Sequence, residues 1–296
     1  MEKRVRGGTT LILFCFGFGY VAHHLARRLR ERGIEIRGTT RSAEKARALD
    51  SQGVRGFLFA RDRPVPPAAL AGTTHVLVSI PPDEEGDPVL DRHGEDLRRL
   101  EGLVWVGYLG TTGVYGDRGG AWVDEDTPLQ PTLARTDRRA RAEAAWLASG
   151  LPVHVFRLAG IYGPGRNAIR QLLDGTARRI VKPGQVFSRV HVEDIAAVLE
   201  ASMERPNPGR IYNVCDDEPA PPQDVVAFAA ELLGVPPPPE EPFETAELSP
   251  VARSFYRDNR RVRNERIKRE LGIALRYPTY REGLRALLPI ETRGRG

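Results

Sequence analysis

At 296 residues, 41% hydrophobic and 28% charged, the chain has room for one large α/β domain with a smaller appendage and needs no disulfides to bury a core. Its two cysteines, Cys15 and Cys215, lie far apart and point to a reducing, cytoplasmic setting. The net charge of +5 is spread along the chain rather than clustered with aromatics, which argues against nucleic acid, and no apolar run reaches the roughly 18 residues of a membrane span.

Residues 1–9 are polar and expected to fray. The apolar stretch after them is too short for a signal segment and has no cleavage site behind it. It predicts instead a strand over 10–16, apolar throughout as a parallel strand buried on both faces should be. Val21, Leu25 and Leu29 recur at helical spacing over 20–32, and Gly33 closes that helix. A second strand follows at 34–39, then a helix over 42–49 opened by Ser42. Further strands are predicted at 54–60, 75–80, 103–109 and 153–158, with a long helix over 135–148. Alternating strands and helices predict a Rossmann-type α/β fold, a doubly wound parallel sheet. Beyond about 165 the pattern loosens and proline becomes dense. The expected division is a nucleotide-binding domain over 1–165 and a smaller, partly interleaved substrate-binding region over 166–296.

The first strand runs into Gly17-Phe18-Gly19-Tyr20-Val21-Ala22 and then a helix, the context a dinucleotide-binding glycine loop requires. Gly17 permits the tight turn, Gly19 lets backbone approach a pyrophosphate, and Ala22 lets the helix pack on the strand. The phosphates would meet free N–H groups at the helix N-terminus. The second strand ends Gly38-Thr39-Thr40-Arg41-Ser42, with no acid for a ribose 2′-hydroxyl. Arg41 offers a planar fork for a 2′-phosphate and Ser42 a further donor, so NADP is favoured over NAD. Ser79, Ile80 and Pro81, ending the fourth strand, complete the cofactor-binding set with Phe18, Tyr20 and Val21.

Later blocks resemble the extended short-chain dehydrogenase/reductases of the epimerase/dehydratase family. They are Tyr108-Leu109-Gly110-Thr111-Thr112-Gly113-Val114-Tyr115-Gly116-Asp117, Asp124-Glu125-Asp126-Thr127-Pro128, Arg157 to Arg166, Arg189 to Ala196, and Ile211-Tyr212-Asn213-Val214. The classical glycine spacing and the Thr-Gly-Val-Tyr-Gly-Asp stretch are similar to the atypical YeeZ-like group of that family. The resemblance implies an oxidoreductase or epimerase acting on a hydroxyl-bearing metabolite, a nucleotide sugar among the candidates. It places Thr111 at the catalytic hydroxyl, Tyr115 beside the substrate, where it is also a candidate substitute acid, and Tyr162 on the nicotinamide side of the pocket. It also implies a homodimer through helices near 94–101 and 135–148.

One departure matters. Aligning Glu143 with the family's glutamate puts Arg135 where the catalytic tyrosine stands and Arg139 where its lysine stands. Arg139 could still hold a ribose hydroxyl, but Arg135 cannot shuttle protons because guanidinium stays charged; an alternative register leaves Thr136 or Asp137 near the same place, and neither restores the tyrosine. A catalytically silent NADP-binding sensor or regulator is therefore the alternative from another class. His191 falls in a block the family uses structurally, and Asp194 is expected to cap a helix. His23 and His24 are read as solvent-facing or packed. No metal-ligand spacing occurs. The densest basic run, 253–269, reads as a solvated helix face, with an anion-binding pocket wall or a nucleic-acid contact as alternatives.

Overall fold

The computed structural model describes residues 11–293; the stretch expected to fray lies outside them. In chain order the elements are β1 (Ile12–Phe16), α1 (Tyr20–Arg30), β2 (Glu35–Thr40), α2 (Ala43–Asp50), β3 (Arg55–Leu58), β4 (His75–Val78), α3 (Pro88–Arg98), β5 (Trp105–Thr111), β6 (Trp122–Val123), α4 (Ala134–Leu147) and β7 (Val153–Leu158). There follow β8 (Gly160–Tyr162), α5 (Ala168–Leu173), β9 (Arg179–Val181), β10 (Arg189–His191), α6 (Val192–Glu204), β11 (Ile211–Val214), α7 (Pro222–Leu233), β12 (Glu240–Pro242), α8 (Pro250–Phe255), β13 (Arg261–Val262), α9 (Glu265–Leu271) and α10 (Tyr280–Glu291). Seven strands form one sheet in the order β11-β7-β5-β4-β1-β2-β3, the doubly wound α/β arrangement, with β3, β2, β1, β4 and β5 paired in parallel.

The chain divides into two compact units. Unit 1 takes residues 1–110, 138–156 and 199–211; unit 2 takes 111–137, 157–198 and 212–296. The chain passes from one to the other within β5, α4, β7, α6 and β11.

Unit 1 is built on β1. Alternate residues face opposite ways along a strand, so Phe14 and Phe16 share a face. Their rings lie 4.8 Å apart and meet Phe57 and Phe59 at 5.8 and 5.4 Å. Helix α1 buries Val21, Ala22, Leu25, Ala26 and Leu29, and its last turn carries Arg27, Arg28 and Arg30, which suit the negative end of the helix dipole. Ser42 accepts from Lys45 N and caps α2. Helix α3 starts earlier than the sequence suggests. Pro88 occupies its first turn, and Asp87 accepts from Val89 N and Leu90 N. β5 begins at Trp105, not at 103, because Leu103 is still in a turn with its N–H bonded to Leu100 O.

Unit 2 pairs short strands from distant parts of the chain: β6 with β13, β8 with β10, β9 with β12. Its core gathers Tyr162, Ile169, Val225, Ala229, Tyr280, Leu284 and Leu287. Helix α10 opens with a reciprocal capping box between Thr279 and Glu282. Asp194 is not the cap of α6 that was expected. It sits inside the first turn, and its buried carboxylate accepts from Arg276 N (2.7 Å) and Tyr277 N (3.1 Å), tying down the chain ahead of α10. The basic run 253–269 is not one helix face either. It crosses α8, β13 and α9, and several of its members meet carboxylates: Arg260 with Asp258, Arg263 with Glu265, Arg266 with Asp126, Lys268 with Asp217 and Arg269 with Glu270.

Candidate functional site

In unit 1 the sheet order reverses at β1, with β2 on one side and β4 on the other, and crevices at such reversals are where open α/β sheets bind ligands. Gly17, just past β1, has φ +85°, and a Cβ there would lie 2.7 Å from Ser79 Oγ and 2.8 Å from Ile80 Cγ1. Neither the backbone angle nor the space admits a side chain. The turn is pinned from both flanking strands. Gly17 N donates to Thr39 Oγ1 (2.8 Å), Phe18 N to Thr39 O (2.8 Å), and Ser79 Oγ to Gly17 O (2.5 Å).

Gly19 is the N-cap of α1, without a side-chain cap and with no acid in the first turn. A Cβ built on it would meet nothing within 4 Å. The space over Gly19, at the uncapped N-terminus of α1, is therefore open, a cradle suited to a phosphate. Phe18 lies across Gly38, where a Cβ would come within 2.5 Å of the ring, and meets His23 edge-on at 6.1 Å. Tyr20 is half-buried against His24, while Val21 is buried and offers only backbone. Arg41 is exposed at the end of β2, next to the α2 cap Ser42. Ile80 packs on the core and Pro81 is exposed. Thr39, which holds the turn, is not part of the glycine motif; its signal in the sequence is a hydroxyl on the strand that neighbours the glycine turn.

Unit 1 also holds Arg139, whose Nη1 donates to Leu109 O (3.0 Å). Beside it lies Tyr108, fully buried and packed on Trp146 at 6.1 Å. Burial pushes the Tyr108 hydroxyl up to about 12, opposed by Arg139 and supported by the charges of Asp87 and Glu143. Arg139 thus has a tyrosine neighbour, but one supplied by β5 and enclosed in the core.

In unit 2, Thr111 Oγ1 accepts from Gly113 N (3.1 Å), starting the short 3-10 turn Thr112–Tyr115. That acceptor role leaves its hydroxyl proton for another partner. Tyr115 is completely buried. Its hydroxyl donates to Asn213 Oδ1 (2.7 Å) and accepts from Arg157 Nη1 (2.7 Å), whose guanidinium also lies 4.9 Å from the ring centre. Burial pushes this hydroxyl up to about 12, against the pull of Arg157. Tyr162 is buried in the unit 2 core, its hydroxyl against Gly283 and Thr279 O (3.4 Å), its ring edge-on to His191 at 5.2 Å. Burial, with Asp216 and Asp194 nearby, raises its pKa far above the usual phenol value. His191 packs on Tyr277 at 4.0 Å with the rings tilted by 48°, and accepts from Glu193 N through Nδ1, a packing role. Arg135 Nη1 donates to Ser254 Oγ (2.5 Å), with Phe255 under the guanidinium at 4.5 Å.

Among the described residues, no group of three His, Cys, Asp or Glu is placed to hold a metal ion, and no helix is long and apolar enough to cross a membrane.

No protein-family model matches the chain. Protein YeeZ of Escherichia coli K12 is 28% identical over 240 residues, covering 75% of this chain and 84% of YeeZ. A 3-diazoavenalumate denitrifying reductase of Streptomyces is 28% identical over 306 residues, covering 92% and 98%. Among solved structures, a functionally unknown conserved protein of Silicibacter pomeroyi is 56% identical over 94% of this chain and 98% of its own, with a TM-score of 0.87. The dTDP-glucose 4,6-dehydratase of Bacillus anthracis, solved with NAD, shares the fold at 17% identity over 96% and 97%, with a TM-score of 0.78.

Proposed function

The chain belongs to the short-chain-dehydrogenase-like epimerase/dehydratase family, as an atypical member, and from that premise we propose an oxidoreductase or epimerase that works with a nicotinamide dinucleotide. Its substrate is a hydroxyl-bearing metabolite, with nucleotide sugars as the candidate class. The observation that carries this reading is the Gly17–Gly19 turn with open space over Gly19 and the uncapped N-terminus of α1. We assign NADP as the preferred cofactor on Arg41, exposed beside Ser42 where an NAD site would carry an acid. Residues 1–165 take dinucleotide binding and 166–296, partly interleaved with them, take substrate binding; a cytoplasmic location and a homodimer complete the proposal.

When bound, the nicotinamide would accept or supply hydride. The chain's own contribution is binding and orientation. The α1 N-terminus and the Gly19 backbone hold the pyrophosphate, and Arg41 with Ser42 holds the 2′-phosphate. Ser79 fixes the turn, and the adjoining Ile80 and Pro81 border the cofactor. Arg139 holds a ribose hydroxyl. Thr111 donates its hydroxyl proton to a substrate oxygen. Tyr115 and Tyr162 act as packing residues, since their hydroxyls are buried and bonded within unit 2.

Those occupied hydroxyls, together with Arg135 and Arg139 in place of the tyrosine and lysine, favour a second reading, a silent NADP-binding sensor. Titrating the protein with NADPH and NADH by nicotinamide fluorescence tests the premise. NADPH is expected to bind more tightly by about tenfold, the worth of one charge-assisted contact. Failure of both to bind overturns both readings. With binding established, oxidation of NADPH by any carbonyl substrate in a sugar-nucleotide panel selects the enzyme, and uniform inertness selects the sensor.

A further inference from the structure

The charged groups of unit 2 fall into two kinds. Arg170, Arg178, Arg179, Arg266 and Arg281 each meet a carboxylate, in order Asp174, Glu241, Glu240, Asp126 and Glu218. Among the described residues, Arg135, Lys182 and Arg253 meet none, and neither do Arg118, Arg189 and Arg261, which bond backbone carbonyls. Lys182 bonds Tyr256 O and lies 5.3 Å from the Phe243 ring centre. Arg253 bonds Ala246 O (2.6 Å) and lies 4.9 Å from the same ring. Arg135 has one neutral hydroxyl and one ring, both from α8.

Arg135 is the one of the three whose hold is easiest to replace. Ser254 gives its proton to Val251 O (2.6 Å) and offers Arg135 a single neutral acceptor. A carboxylate or phosphoryl group offers a planar guanidinium two charged acceptors, and charge-assisted hydrogen bonds are roughly twice as strong as neutral ones. The helix that occupies Arg135 is also lightly anchored. α8 has six residues and no buried side chain, and Val251 and Phe255 stand 62% and 56% exposed. Lifting it away uncovers almost no core.

We propose that Arg135 is an oxyanion-recognition residue: a carboxylate or phosphoryl group of the substrate displaces Ser254 from its guanidinium, and α8 is the cover that latches onto Arg135 when no anion is there. The residue standing where the family places its proton donor therefore selects substrates by charge. This deepens the enzymatic reading and rests on it in one respect, that the anion belongs to a substrate.

The test uses the full chain with sodium phosphate and sodium benzoate as probes, at ionic strength held constant with chloride. Two readouts are taken: the shift in thermal midpoint, and phenylglyoxal labelling of Arg135 mapped by peptide mass spectrometry against the exposed Arg63. The anion should stabilise the wild type and protect Arg135 but not Arg63, and whichever probe does so more strongly identifies the group. R135Q should weaken the response about tenfold or more. S254A, which removes the competing acceptor, should strengthen it a few-fold, an effect no merely structural role for Ser254 predicts. An equal anion response in wild type and R135Q, or unprotected labelling of Arg135 in the wild type, overturns the proposal. If R135Q does not fold by circular dichroism, the labelling and S254A decide alone. NADPH binding by the wild type without either anion effect sinks this inference and leaves the cofactor reading standing; anion recognition without dinucleotide binding does the reverse.

Discussion

The turn after β1 and the cluster around the Tyr115 hydroxyl are both held by hydrogen bonds from residues distant in the chain, yet they end in opposite states. At the turn, Thr39 and Ser79 spend their hydrogen bonds on holding Gly17, and the space over Gly19, at the start of α1, is open. At Tyr115, every polar atom of the ring is already bonded inside the fold, to Asn213 and Arg157. The first arrangement is prepared for a partner from outside; the second is complete by itself. A motif match could not separate them, because Val-Tyr-Gly and Gly-x-Gly look equally suggestive as letters.

The comparison breaks most readily at Gly17. Gly17→Val forces a β-branched residue to φ +85° and drives its Cβ onto Ser79 and Ile80. A loss of about 3–5 kcal/mol in urea unfolding, with NADPH binding abolished, is expected. Wild-type stability with retained binding would show that the turn is not the cradle.

The next largest effect is a response of unit 1 to acid. Trp105 lies between His75 and His154, at 6.1 and 5.9 Å, and burial pushes both imidazoles down to about 4. Their folded pKa values lie below the unfolded value near 6.5. The stability they contribute is therefore fully present above pH 6.5 and lost as pH falls toward 4, up to about 2–3 kcal/mol per histidine. Urea midpoints at pH 7 and pH 5 measure it, and His154→Gln should flatten the slope; an unchanged slope contradicts the buried neutral state.

Tyr115→Phe sharpens the contrast from the other side. It leaves Asn213 and Arg157 short of a partner in the interior, at a cost of about 1–3 kcal/mol, with NADPH affinity unchanged. Lost NADPH affinity at full stability would move Tyr115 out of the scaffold and into the site. The smallest effect is at the cofactor's far end. Arg41→Ala should cost about 1–2 kcal/mol of NADPH affinity and nothing for NADH, read from paired fluorescence titrations. Equal losses for both would remove Arg41 from 2′-phosphate recognition.

How much the letters revealed follows how local each feature is. β1, the glycine turn and α1 are consecutive, so a continuous apolar run and a 3.6-residue period sufficed to place them. Ser42 as a cap was readable because capping is an interaction across three residues. Asp194 failed for the opposite reason: its partners, the N–H groups of Arg276 and Tyr277, lie more than 80 positions away. The pairing of Trp122 with Arg261, and the bonds from Tyr115 to Asn213 and from Arg135 to Ser254, are equally remote. No periodicity encodes such contacts. The basic run 253–269 misled because charge density along a chain does not report which acids fold against it.

The interleaving of the two units carries a consequence for synthesis. Unit 1 reclaims residues 199–211 after most of unit 2's middle segment has been made. Arg28, in α1, waits for Glu200, and Trp105 for Ser202. On a ribosome, unit 1 cannot close before residue 211 has emerged, and until then β1 and its phenylalanines depend on a partial sheet. Nascent chains released just before and just after residue 211 should differ sharply in protease resistance, although the glycine turn is finished in both.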